Sequence, residues 1–133
     1  MKRYLLDTNH LSAYLDGQPG PEDRIENALR RGDRVGVCLP VLCEYRAGIR
    51  GSKHFRRNLA KLQSALTVLR VWQIDEQTIA EFGELFWEVR AVGRHLAQFD
   101  MLIAGVARRN KMTLLSGDQD FNGVKGVKLE NWL

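Results

Sequence analysis

Apolar and polar positions follow two rhythms along this chain. Short apolar runs at Arg3–Leu6, 35–39, 68–74, 112–115 and 127–129 stand between longer segments in which apolar residues recur every three or four positions. The runs predict buried strands and the segments predict amphipathic helices. A first helix over residues 9–16 places Leu11, Tyr14 and Leu15 on one face. The turn cluster Gly17-Gln18-Pro19-Gly20-Pro21 separates it from a second helix over 22–31, anchored by Ile25, Ala28 and Leu29 and stopped at Gly32. Pro40 suits the first turn of a third helix carrying Val41, Leu42 and Tyr45, where its missing N–H costs nothing. A break at 48–51 precedes a fourth helix over 53–66, striped by Phe55, Leu59, Leu62 and Leu66. Asp75 is placed to cap a fifth helix with the stripe Ile79, Phe82, Phe86 and Val89. In a sixth, over 98–110, Ala104, Gly105 and Ala107 leave room for close packing. Trp72, Trp87 and Trp132 read as core or interface residues, with Trp132 packing the tail against the sheet.

Strands alternating with helices predict an α/β fold: three αβα layers around a central, mostly parallel sheet of four to five strands, with 127–129 at an edge. The 133 residues suit a single domain spanning 1–133. In such sheets the functional crevice lies beyond the carboxyl ends of the strands. Four acids mark that edge. Asp7 follows the first strand, and Glu44 lies in the opening turns of the helix after the second. Asp100 opens the helix leading into the fourth strand, and Asp118 follows that strand in "LLSGDQDF". Each has an ordinary structural use as well: Asp7 as a helix cap, Glu44 as an ion-pair partner of Arg46 or Arg50, Asp100 as a helix-dipole partner and Asp118 as a turn residue. Asp120 competes with Asp118; Asp118 is nearer the strand end, which leaves Asp120 as the fallback ligand or a cap beside Phe121.

Carboxylates gathered in one pocket raise one another's pKa unless a cation compensates. All-oxygen ligands favour a hard divalent ion, Mg²⁺ or Mn²⁺, over zinc. The net charge is +4 with pI about 9.3, so a basic body surrounds the acidic group, as suits a polyanionic substrate. Exposed cations cluster at Arg46, Arg50, Lys53, Arg56, Arg57 and Lys61, a candidate track for a nucleic-acid backbone or a partner protein. The histidines are poor candidates for catalysis: His10 lies close in sequence to Asp7, where it could touch substrate, His54 sits in the basic cluster and His95 in a loop. No apolar run reaches the about 20 residues needed to cross a bilayer. The apolar stretch after Met1-Lys2-Arg3 breaks at Asp7, so neither an export signal nor a membrane anchor is read, and a cytoplasmic address is expected. Cys38 and Cys43 match neither a zinc nor a redox spacing and are expected to be buried free thiols.

The segments "LLDTNHLSAYL", "LPVLCEYRAGI", "FDMLIAGVARRNKMTLLSGDQDF" and "VKLENWL" resemble PIN-domain ribonucleases, and most of all the VapC toxins of bacterial type II toxin–antitoxin pairs. The resemblance runs nearly end to end and in the same order. It implies Asp7, Glu44, Asp100 and Asp118 as the acidic metal site. Thr8 and Ser116 fall where the family often places hydroxyls beside the metal, and Ser116 stands where Thr is more usual. It also implies an RNA substrate, a homodimer and a cognate antitoxin that blocks the site. On this reading the protein is a Mg²⁺- or Mn²⁺-dependent endoribonuclease with Asp7 and Asp100 as central ligands, leaving 5′-phosphate and 3′-hydroxyl ends. Two rivals share the acidic sheet edge. Haloacid dehalogenase-like phosphatases carry a second Asp two residues after the nucleophile, where this chain has Asn9, and receiver domains need an acidic pair and a lysine that are not arranged here. A PIN-like module that binds RNA or protein with little turnover is the non-enzymatic alternative.

Overall fold

The computed structural model describes residues 1–133. Five strands, β1 (Arg3–Leu6), β2 (Arg34–Cys38), β3 (Arg70–Trp72), β4 (Thr113–Leu115) and β5 (Lys128–Glu130), form one sheet in the order β3-β2-β1-β4-β5. Every pairing is parallel. Helices α1 (Thr8–Leu15), α2 (Pro19–Arg30), α3 (Leu39–Arg50), α4 (Phe55–Ala65), α5 (Glu76–Ala91) and α6 (Gln98–Arg109) flank it, giving the expected three layers. Tyr4, Leu5 and Leu6 are buried in succession, as are Leu114 and Leu115, because helices cover both faces of the central strands. The edge strands β3 and β5 are only half-buried. The chain winds outward from β1 through β2 to β3, then returns to the other side of β1 as β4 and β5. The direction therefore switches between β1 and β4, the place where open α/β sheets form their binding crevice.

Several elements differ from the sequence expectation. The second helix begins at Pro19 rather than residue 22, since prolines at a helix start lose no intrahelical bond. The third helix continues through Gly48 to Arg50, so the break falls after it, and the fourth starts at Phe55. The third strand shrinks from 68–74 to three residues, because it pairs only with Gly36, Val37 and Cys38 of β2. Ile79 is 60% exposed and does not belong to the buried stripe of α5. The cap explains the rotation: Asp75 Oδ1 accepts from both the N–H (2.8 Å) and the hydroxyl (2.7 Å) of Thr78, which turns Thr78 inward and sets the buried face as Thr78, Leu85 and Val89. Cys38 is buried, and burial pushes its thiol pKa up to about 12. Cys43 is exposed, contrary to expectation, because α3 buries Pro40, Val41, Tyr45 and Ile49 and turns position 43 outward. No helix is long and apolar enough to cross a membrane.

Candidate active site

Asp7 leaves β1 directly at the switch point, and its N–H donates to the carbonyl of Leu115 at the end of β4 (3.1 Å). It caps α1, with Oδ1 accepting from the His10 N–H at 2.7 Å. Only Oδ1 is engaged; Oδ2 has no protein donor. The structural and chemical readings of Asp7 are thus compatible, one oxygen serving each. Glu44 on α3 makes no ion pair with Arg46 or Arg50; instead Oε1 accepts from the Thr8 hydroxyl at 2.8 Å. Asp100 stands in the first turn of α6 with no protein hydrogen-bond donor of its own. Asp118 follows β4 and caps a short 3-10 turn at Gln119–Phe121, its Oδ1 accepting from the Asp120 N–H at 2.9 Å. Its own N–H donates to Ser116 Oγ at 3.0 Å, and Ser116 is buried beneath it.

One open cavity of about 310 Å³ is lined by all four acids, together with Thr8, Asn9, Ile103 and Phe121. Asp120 does not line it, although its charge also reaches Asp100; its main-chain carbonyl accepts from Arg94 at 2.7 Å. Burial holds the Asp100 carboxyl above the usual aspartate range, and the charges of Asp118, Glu44, Asp120 and Asp7 add to it in that order. Acids up to 111 positions apart in sequence, Asp7 and Asp118, therefore share one electrostatic environment. No three of them close into a tight ligand group. They ring the crevice with free oxygens, as suits a hard cation that keeps several waters and shares a substrate's phosphate oxygens. No histidine or cysteine lines the cavity, so its carboxylates offer oxygen donors, which suit a hard divalent cation.

His10 is 0% exposed and lies behind Asp7, so its ring is not open to a substrate in the crevice. What sequence reasoning missed is its partnership with Asp7. An acidic cap followed three residues later by a side chain that can return a hydrogen bond is a local signal that could have found it. His54 pairs with Arg57 (2.9 Å), and His95 is exposed. Arg46, Arg50, Lys53, Arg56, Arg57 and Lys61 are all exposed along α3, α4 and the turn between them, and none has a carboxylate within 4 Å. Arg50 instead lies 5.3 Å over the ring of Phe55.

A parallel sheet sandwiched by helices, with carboxylates converging beyond its carboxyl edge and only oxygen donors among them, defines a three-layer α/β protein with an acidic centre. Comparison with known proteins narrows this class. The chain belongs to the PIN domain family, which it matches over residues 4–127. It is similar to ribonuclease VapC2 of Rickettsia felis, 27% identical over 130 residues and covering 97% of each chain. The tRNA(fMet)-specific endonuclease VapC of Shigella flexneri is 26% identical over 133 residues, 99% of each chain. Among solved structures, VapBC2 from Rickettsia felis bound to a DNA fragment from its promoter contains a chain that superposes with a TM-score of 0.89 at 26% identity, covering 98% of this chain and 99% of that one.

Proposed function

We propose that this chain is a divalent-metal-dependent endoribonuclease and the toxin of a type II toxin–antitoxin pair, acting as a single domain in the cytoplasm. The observation that carries this reading is the convergence of Asp7, Glu44, Asp100 and Asp118 on one crevice at the sheet's switch point. Asp7 and Asp100 are the central ligands for Mg²⁺ or Mn²⁺, and Glu44 and Asp118 act from the rim. The bound cation supplies activation of a hydrolytic water and neutralisation of charge at phosphorus. The chain's own part is to present oxygens in fixed directions. Thr8 turns Glu44 toward the crevice through its 2.8 Å hydrogen bond, and Ser116 holds the main chain of Asp118. Asn9 lines the crevice without a carboxyl that could protonate a leaving group, which argues against the phosphatase alternative. A cognate antitoxin is the expected protein partner, and the exposed Trp87 and Val92 on and just after α5 support pairing with a second copy of the chain.

Purified protein incubated with RNA will cleave it in the presence of Mn²⁺ or Mg²⁺ and not in EDTA, leaving ligatable 5′-phosphate and 3′-hydroxyl ends. A transfer RNA is the first substrate to try, because one full-length relative is named for cleaving one. Persistent 2′,3′-cyclic phosphate products in EDTA would overturn the mechanism. Equal cleavage by wild type and Asp7→Asn would trace the activity to a contaminant.

The exposed cations of α4 are the proposed backbone track for RNA. Changing Arg56 and Arg57 together to Glu will weaken binding at low salt. It will also lower the dependence of log affinity on log salt by about 0.7 for each single-strand phosphate that the protein no longer neutralises. A salt slope equal to that of the wild type removes these residues from the RNA track.

A further inference from the structure

His10 and the last residues of the chain form a clamp behind the acidic crevice. His10 Nδ1 lies 2.9 Å from Asp7 Oδ1, the oxygen already accepting the His10 main-chain N–H. On the other side of the ring, Nε2 lies 3.0 Å from the main-chain nitrogen of Trp132, across 122 positions of sequence. The Trp132 N–H can only donate, so Nε2 must be the lone-pair nitrogen. The ring is therefore neutral with its proton on Nδ1, aimed at Asp7. Both ring nitrogens are satisfied in a site that solvent does not reach.

The donor at the far end is itself held in place. The Trp132 indole is buried, packed 4.8 Å from the ring of Tyr4 on β1 and covered by the Arg24 guanidinium at 4.7 Å. Just before it, the carbonyl of Glu130 accepts from the Ser116 N–H at 2.9 Å, and Ser116 Oγ accepts from the Asp118 N–H. One terminal segment thus reaches two of the acids: Asp7 through His10, and Asp118 through Ser116.

We propose that His10 is a positioning residue of the acidic centre: it passes the fixed Trp132 main-chain N–H on to Asp7 as an Nδ1–H donor, orienting the carboxylate so that Oδ2 is left for the cation. This rests on the reading of Asp7 as a cation ligand. The arrangement is the carboxylate counterpart of the partners that orient metal ligands from behind, whose loss typically weakens metal affinity by about 10- to 100-fold. It also makes the carboxyl-terminal tail part of the site, although no tail side chain enters the crevice.

The test uses the full chain and Mn²⁺ alone, with affinity read by titration of free Mn²⁺. His10→Leu puts an apolar side chain of similar bulk in the buried site and removes both ring hydrogen bonds. It will bind Mn²⁺ about 10- to 100-fold more weakly. His10→Asn restores an amide donor toward Asp7 and will recover part of that loss, which a purely space-filling role would not allow. In an Asp7→Asn background, His10→Leu will cause no further loss. Nitrogen-15 spectra of the wild-type imidazole will show a protonated Nδ1 and an unprotonated Nε2. An Nε2–H tautomer, or His10→Leu binding Mn²⁺ as tightly as the wild type, overturns the proposal. Absence of Mn²⁺ binding by the wild type would instead refute the metal reading, and the imidazole spectrum, which needs no cation, would still decide the clamp.

Discussion

Asp100→Asn will reduce RNA cleavage by at least about 100-fold and, in the same protein freed of divalent cations, raise the melting temperature at pH 7. The loss of activity follows from the position of Asp100 in the crevice with Asp7, Glu44 and Asp118. Removing even an outer partner of a metal site costs about 10- to 100-fold, and a direct ligand costs more. The gain in stability follows from electrostatics. The folded-state pKa of Asp100 is raised above its unfolded value of 3.8, first by burial and then by four neighbouring acids. A carboxyl whose pKa rises on folding binds its proton more tightly in the native state. The native state is thus penalised wherever the group is ionised. The penalty is absent below the unfolded pKa, grows as pH rises through the folded pKa and is complete above it. The stability difference between Asp100→Asn and wild type will accordingly be present at pH 7 and vanish as pH falls below about 3.8. Mn²⁺ will reverse the order, because a cation that binds the native state stabilises it, and the wild type binds more tightly. Melting curves at pH 3.5 and 7, with and without Mn²⁺, check all of this. Asp100→Asn protein less stable than wild type at pH 7 without cation would mean that the acids do not strain the fold.

The positions of these acids were legible because strand ends are legible. A short apolar run that stops at a carboxylate announces both the strand and the edge on which the acid stands, and the parallel topology implied by alternating elements then brings Asp7, Glu44, Asp100 and Asp118 to one side. The order β3-β2-β1-β4-β5 was not legible, since it is set by which helices pack across the sheet and leaves no local mark. Errors of helix phase have a nearer cause. Ile79 looks like a stripe residue by type and spacing, yet the double hydrogen bond from Thr78 to Asp75 fixes the first turn and rotates Ile79 outward. Cys43 shows that an apolar residue type does not imply burial when the helix face is decided by its neighbours. The His10–Trp132 hydrogen bond has no pattern at all behind it: it joins the first helix to the last strand's tail through a main-chain donor, and main-chain donors are the same at every position.

Gly36→Ala will lower the melting temperature by about 5–15 °C, the largest effect expected of any single methyl added to this chain. Gly36 is buried in the middle of β2, paired with Leu5 of β1 on one side and Arg70 of β3 on the other. Its backbone is ordinary extended strand, so the requirement for glycine is one of space and not of left-handed geometry. A Cβ here would drive into the carbonyl oxygen of Arg70 and come within 2.5 Å of Trp72 Cζ3. Trp72 lies across the strand where a side chain would otherwise stand, and the Arg70 guanidinium sits 5.9 Å over its ring. The edge strand is three residues long and pairs with nothing but β2, so it must shift or detach. Overpacking of this kind typically costs about 1–3 kcal/mol, and a clash with main chain lies at the upper end because no rotamer change relieves it. Adding Trp72→Leu to Gly36→Ala removes the clash with the ring but not the one with the carbonyl, so the pair will recover only part of the loss. Full recovery would show that the ring alone forbids the methyl, and an unchanged melting temperature in the single variant would contradict the β2–β3 register itself. Because β2 leads straight into the helix that carries Glu44, the same variant will lose RNA cleavage in parallel with stability as temperature rises, whereas Asp100→Asn loses cleavage while the fold grows more stable.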